Sequence, residues 1–219
     1  MNKKKVLITG GSRGIGKAIK LALEKEFEVV APTRSELDLS SLDSVYKYTQ
    51  YNFEFDILIN NAGINIIKKI DDINIEDIRI LNQINLESPL LLMQAAIKYM
   101  KVNAYGRILN ISSIWGLRGF ENRTLYSGSK FGIIGYTKAL AREVADSNIL
   151  INSLCPGFTD TEMTKNSLEN EALSAILNQV PIKRMASVDE VAHYAAFLVS
   201  EKNTYLTGQA ITIDGGFLA

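Results

Sequence analysis

The chain has 219 residues, with 24 Lys and Arg balancing 24 Asp and Glu, 47% hydrophobic residues and a single cysteine. That length suits one soluble domain able to bury most of its unfolded surface without metal or disulfide staples; a lone cysteine forms no internal disulfide, so a reducing, cytoplasmic compartment is expected. Zero net charge argues against a nucleic-acid binder, the greasiest stretch, Leu90 to Ile97, falls far short of the roughly 20 apolar residues of a membrane span, and the apolar run Val6-Leu7-Ile8 is too short for a signal-peptide core.

Short β-branched runs alternate with helical patterns along the whole chain. Val6 to Thr9, Glu28 to Ala31, Asp56 to Asn60, Arg107 to Ile111, Leu150 to Leu154 and Ala210 to Ile213 predict buried strands. Between them, Ile15 to Lys25, Leu42 to Tyr51, Ile75 to Lys101, Leu125 to Asp146 and Val188 to Ser200 carry apolar residues at helical spacing. No repeat or linker divides the chain, so the expectation is a single-domain α/β fold of 1–219: a Rossmann-like, doubly wound parallel sheet. One joint departs from that plan. Only Pro32 to Ser35 separates the second strand from the strand-like Glu36-Leu37-Asp38-Leu39, and a parallel crossover needs about a dozen residues. The helix between strands 2 and 3 is therefore expected to be deleted, leaving a short remnant strand over 36–39 at the sheet edge.

Directly after the first strand comes Thr9-Gly10-Gly11-Ser12-Arg13-Gly14-Ile15-Gly16, followed at once by a helix. Its spacing is not the common G-x-G-x-x-G, but absent side chains still permit a tight turn, let the backbone approach a pyrophosphate and aim a helix N-terminus at negative charge. Enzymes that select NAD usually carry an acid after the second strand, and those that select NADP a basic residue for the 2'-phosphate. Here that place holds Pro32-Thr33-Arg34, with Arg13 inside the turn. Two guanidiniums favour NADP(H) over NAD(H).

Tyr126 and Lys130 stand four apart at the start of a helical segment and share one face. Ser113 lies thirteen residues before Tyr126 at a strand end, and Asn85 twenty-eight before Ser113. Together with Thr9 to Gly16, Asn60-Asn61-Ala62-Gly63, Pro156-Gly157 and the terminal Asp214-Gly215-Gly216, these residues resemble the ordered motifs of the short-chain dehydrogenase/reductase family from residue 6 to 217. The resemblance implies reduction of a ketone by hydride from a nicotinamide. Free tyrosine, with a pKa of about 10, is a poor base; the neighbouring Lys130 ammonium favours its phenolate, so that Tyr126 serves as acid in reduction and base in oxidation. Ser113 would donate a hydrogen bond to the same oxygen, Lys130 would also bind the nicotinamide ribose, and Asn85 would hold a water completing a proton relay. By the same resemblance Gly10, Gly11, Ser12, Arg13 and Arg34 contact phosphates and Gly14, Ile15 and Gly16 complete the turn. Asp38 and Leu39 meet the adenine, and Asn60 with the Ala62-Gly63 backbone meets the adenosine ribose. Pro156 and Gly157 belong to the same site, with Thr159 meeting the carboxamide.

Several further residues are expected to do less. His193, alone on a helix, reads as a surface or packing residue, and Cys155 as a small buried hydrophobe. Trp115 and Leu117 are divided between the substrate pocket and the core, while Met163 and the stretch Lys165 to Pro181 fall where the family places a mobile substrate loop. No metal site is expected. Phe158 to Thr164 and Arg142-Glu143-Val144 look like 3-oxoacyl thioester reductases. The basic residues that dock an acyl carrier protein in that subgroup are replaced by Ala104 and Ser147, with only Lys101 close by. A carrier-protein partner is thereby disfavoured, and a small free carbonyl or sugar-like hydroxy compound is the rival substrate. A non-catalytic cofactor-sensing or scaffold protein is the alternative of another class. A homo-oligomer, dimer or tetramer, is implied through the helices of 75–101 and 125–146, the first of which is apolar around much of its girth.

Overall fold

Six parallel strands form one sheet in the order β2-β1-β3-β4-β5-β6 in the computed structural model, which describes residues 3–51, 53–162, 164 and 175–219. The strands are β1 (Lys5–Ile8), β2 (Glu28–Val30), β3 (Ile57–Asn60), β4 (Gly106–Ile111), β5 (Ile149–Pro156) and β6 (Ala210–Ile213). The helices among the described residues are α1 (Gly14–Leu23), α2 (Leu42–Gln50), α3 (Ile75–Asn82), α4 (Ser88–Val102), α5 (Thr124–Val144) and α6 (Val188–Val199).

Alternation along the strands builds a core on each face of the sheet. Leu7, Leu58, Ile108 and Ile151 point to the side covered by α2, α4 and α5, where they meet Val45, Met93 and Ile133. Val6, Ile57, Leu109 and Leu154 point the other way, against Ile19 of α1 and Val191 and Ala195 of α6. β3, β4 and β5 are buried throughout, as strands covered on both faces must be. β2 and β6 are the partly exposed edges.

No helix forms between residues 32 and 40, as expected, but the remnant strand over 36–39 does not form either. Its alternation is real, since Leu37 and Leu39 are both buried. The backbone is satisfied locally instead: the Leu37 N–H donates to the Thr33 carbonyl at 3.0 Å, that of Asp38 to the Ser44 hydroxyl at 3.1 Å, and that of Ser40 to the Asp38 carboxylate at 2.9 Å. A segment whose donors are already spent has nothing to offer β2, which remains the sheet edge.

The helical pattern predicted over Ile75 to Lys101 is also broken. Between α3 and α4 the chain widens into a π turn over Gln83–Glu87. Pro89 accounts for it: it has no N–H for the Asn85 carbonyl four residues back, and its ring crowds that carbonyl. The wide turn carries Asn85 and buries it, an arrangement often met at functional sites.

Candidate active site

The strand order reverses about β1, whose neighbours are β2 and β3, so the connections leaving the carboxyl ends of β1 and β3 part in opposite directions and open a crevice. A cleft of about 810 Å³ occupies that place. Gly10, Ser12, Arg13, Gly14, Ile15 and Gly16 form one wall. Ala62 and Gly63 follow β3, Ser113 follows β4, Tyr126 and Lys130 come from α5, and Pro156, the last residue of β5, closes the far end with Gly157 and Thr159. The ends of β1 and β3 are stapled by a contact the sequence reading passed over: the buried Thr9 hydroxyl accepts from the Asn61 and Ala62 N–H groups, both at 3.1 Å, while the Asn61 side-chain amide donates to the Thr9 and Gly10 carbonyls at 3.0 and 3.1 Å.

The turn fits a dinucleotide's phosphates. Gly10 and Gly14 have φ of 68° and 54°, left-handed values that favour glycine. A Cβ on Gly14 would meet nothing nearer than Thr161 at 3.6 Å, so the turn is open on its cleft side. The N-cap residue Arg13 makes no side-chain cap and the first turn of α1 carries no acid, which leaves the N-terminal N–H groups and the positive end of the helix dipole for an anion.

At the other end, Tyr126 lies on the first turn of α5 and Lys130 one turn further on, its ammonium 5.5 Å from the centre of the Tyr126 ring. Lys130 is buried and donates to the Ile111 carbonyl at 2.8 Å. Ser113 accepts the Trp115 N–H at 3.2 Å, which orients its hydroxyl, and its side chain hydrogen-bonds Tyr126. Burial raises the Tyr126 pKa above the ordinary phenol value, opposed by that bond and then by the charge of Arg123. Arg123, which the sequence reading did not single out, is thus a second cation acting on Tyr126, beside the Lys130 ammonium over its ring. Burial also lowers the Lys130 ammonium to about 8, with a smaller opposing pull from Cys155. A group with a depressed pKa is charged below about 8 and neutral above it. The kcat/KM for the reduced cofactor, which reports the free enzyme, is therefore expected to fall as pH rises through about 8. Lys130→Arg, charged throughout, should remove that break even at a lower absolute rate; an unchanged break would assign it to another group.

Six predicted residues lie off the cleft wall. Gly11 packs behind the turn, where a Cβ would come within 2.8 Å of the Ala31 side chain. Leu39 puts its side chain in the core, and its carbonyl accepts from Ser88. Asn60 is buried and donates to the Asn110 side chain at 2.9 Å. Asn85 brackets Ile64, accepting from its N–H and donating to its carbonyl, both at 2.9 Å, and donates to Ser129 at 3.1 Å. Arg34 is exposed and paired with Asp38 at 3.4 Å, while Arg13, on the cleft, pairs with Glu162 at 3.1 Å. Exposed pairs of this kind are worth about 0–1 kcal/mol; each guanidinium can turn to a phosphate at little cost.

Cys155 is fully buried and its thiol is pushed up to about 11, chiefly by burial, so it is inert as expected. His193 is exposed on α6. Trp115 belongs to an aromatic group, stacked on Phe120 at 4.3 Å and edge-on to Phe158 and Phe217. Met163 and residues 165–174 of the expected substrate loop lie outside the described residues.

A family profile described as enoyl-(acyl carrier protein) reductase matches residues 36–218. An uncharacterised oxidoreductase of Bacillus subtilis, YxjF, is 34% identical over the whole of both chains. The 3-oxoacyl-[acyl-carrier-protein] reductase FabG of Escherichia coli is 35% identical over 96% of this chain and 95% of its own. Among solved structures, a putative NAD(P)-dependent gluconate 5-dehydrogenase from Beutenbergia cavernae with bound NADP superposes with a TM-score of 0.95 at 26% identity, covering 100% of this chain and 98% of that one. ElxO with NADP bound gives 0.88 at 31% identity, covering 99% of each.

Proposed function

The chain belongs to the short-chain dehydrogenase/reductase family, an NAD(P)-dependent oxidoreductase family, and from that premise we propose that it reduces a ketone to a secondary alcohol with NADPH. The observation that carries this reading is the meeting of Ser113, Tyr126 and Lys130 at the end of the cleft opposite the glycine turn. When bound, a reduced nicotinamide supplies a hydride to the carbonyl carbon. Ser113, its oxygen held by the Trp115 N–H, donates its proton to a hydrogen bond with the carbonyl oxygen. Tyr126, whose raised pKa keeps it protonated at neutral pH, transfers its proton to that oxygen as charge develops. Lys130 holds the ribose through its remaining donors, one being spent on Ile111. The Asn85 amide is spent on Ile64 and Ser129, so a relay water at this residue is held by its main-chain carbonyl, which Pro89 leaves without its usual donor.

The test is loss of NADPH absorbance on mixing with a panel of ketones, 3-oxo esters and oxidised sugars. Steady turnover supports a reductase; tight cofactor binding with no turnover across the panel would favour a cofactor-sensing protein. NADP-bound relatives and the pair Arg13 and Arg34 support NADPH over NADH. Arg34→Glu is expected to reverse that preference by about 10- to 100-fold in kcat/KM, the scale of a lost charge-assisted contact plus repulsion. An unchanged ratio of the two cofactors would remove Arg34 from the argument. A small free substrate fits better than a carrier-protein thioester, because Ala104 and Ser147 stand where an acidic partner would want basic residues, with only Lys101 close by.

A further inference from the structure

Arg123 is a cation in an unusual position. It immediately precedes α5, three residues before Tyr126, with only 7% of its surface exposed. Its Nη1 is buried and has no hydrogen-bond partner, and among the described residues no carboxylate faces it. Its N–H donates to the Phe120 carbonyl and its own carbonyl accepts from Ser127, so the backbone is fixed at this point. Burial depresses its pKa, and among the described residues Tyr126 is the one titratable group acting on it. Arg107, the other buried arginine, shows the contrast: it donates to the Gly106, Asn148 and Asn203 carbonyls. A buried guanidinium is ordinarily paired, because removing its water costs several kcal/mol that only an anion or a set of acceptors returns.

Resting on the reductase reading above, we propose that Arg123 receives a carboxylate of the substrate, and that the physiological ketone is a short oxo acid presented as the free acid. Arg123 is the N-cap residue of α5, just ahead of the turn that carries Tyr126, and its charge acts on that phenol. That proximity suits a carboxylate a few carbons from the carbonyl that meets Tyr126. A carboxylate accepts two parallel N–H bonds from a guanidinium, which fixes the carbon chain in one orientation as well as binding it. The cofactor's phosphates have a site of their own to occupy at the uncapped N-terminus of α1, on the glycine-turn wall of the cleft, and so are not needed to pair Arg123. A thioester carries no charge at this point and would leave Arg123 unpaired. The stacked Trp115 and Phe120, the latter three residues before Arg123, mark an apolar neighbourhood in which an ion pair is weakly screened.

The experiment compares acids with their own methyl esters under NADPH: acetoacetate, 4-oxopentanoate and 5-oxohexanoate, each beside its ester, with the N-acetylcysteamine thioester of acetoacetate and the neutral diketone 2,3-butanedione alongside. At least one acid is expected to exceed its ester by about 10- to 100-fold in kcat/KM, mostly through KM. Arg123→Gln should collapse that ratio to about one, whatever it does to the rate both substrates share, and Arg123→Lys should keep part of it. Esters or the thioester preferred throughout by the unmodified protein would overturn the proposal. So would an Arg123→Gln protein that slows acid and ester alike, since that marks a positioning role on Tyr126. If Arg123→Gln does not fold, the comparison in the unmodified protein and Arg123→Lys decide. Turnover of the diketone with no acid preference sinks this proposal alone; bound NADPH that reduces nothing in the panel sinks the reductase reading and this inference with it.

Discussion

Tyr126→Phe is expected to lower kcat for ketone reduction by about 10²- to 10⁴-fold, the contribution of a positioned general acid, while leaving NADPH affinity within about threefold. The substitution removes one oxygen. The ring stays in place on the first turn of α5, and Lys130 keeps its contact with the ring face and its bond to Ile111. What disappears is the hydroxyl that is hydrogen-bonded to Ser113 and raised in pKa by burial. The direction of that shift makes a second reading of the same experiment. A phenol held above its ordinary value stays protonated over a wider pH range, so reduction needs no alkaline medium. Alcohol oxidation, which needs the phenolate, should grow as pH rises. In Tyr126→Phe both directions lose this dependence. The measurement is kcat and KM in each direction across pH, with cofactor binding followed by NADPH fluorescence. Full turnover by the phenylalanine variant would remove Tyr126 from the chemistry.

Much of the cleft was legible because its physics is local. A strand, a run of glycines and a helix start are written consecutively from Lys5 to Leu23, and Tyr126 and Lys130 share a face because a helix has a fixed period. Strand alternation likewise divides Leu7 and Leu58 from Val6 and Ile57 before any contact is known. The π turn at Gln83–Glu87 was not read, although Pro89 was its signal; apolar periodicity runs through a proline, whereas the hydrogen-bond ladder does not. Residues 36–39 misled in the opposite way. Leu37 and Leu39 bury themselves with the period of a strand, but a strand also needs unspent backbone donors, and Thr33, Asp38 and Ser44 had taken them. Arg13 and Arg34 read in the sequence as phosphate-binding cations, and the acid beside each does not show there, one coming from far along the chain and one from only four residues away. Arg123 was invisible for a more basic reason. An arginine in a loop is normally solvated, and only its burial without a partner sets it apart.

Gly16→Ala is the second large effect expected, and it runs against helix propensity. Gly16 lies inside α1, where alanine would ordinarily add about 1 kcal/mol. Here an added Cβ would lie 2.2 Å from the Gly10 carbonyl oxygen and 2.3 Å from the Asn61 side-chain nitrogen. Asn61 can move only by giving up its bonds to Thr9 and Gly10, and the Gly10 carbonyl is backbone with φ already at 68°. Relief must come from displacing the helix start away from the turn, at about 2–3 kcal/mol for an overpacked site. For a chain of 219 residues that is about 4–12 °C in Tm. The same displacement carries the N-terminal N–H groups of α1 out of register with the phosphates, so NADPH affinity should fall by about 100-fold, the loss of one or two charge-assisted hydrogen bonds. Gly135→Ala is the control. Gly135 is exposed within α5 and a Cβ there meets nothing within 4 Å, so alanine should stabilise by about 0.5–1 kcal/mol and leave NADPH binding alone. Thermal melts with and without NADPH separate the two contributions, because only the cofactor-bound melt reports the displaced phosphate site. A Gly16→Ala protein that melts like the unmodified one and gains the same stabilisation from NADPH would show that the helix start can shift without cost, and the close packing of turn on helix would then not be what shapes the phosphate site.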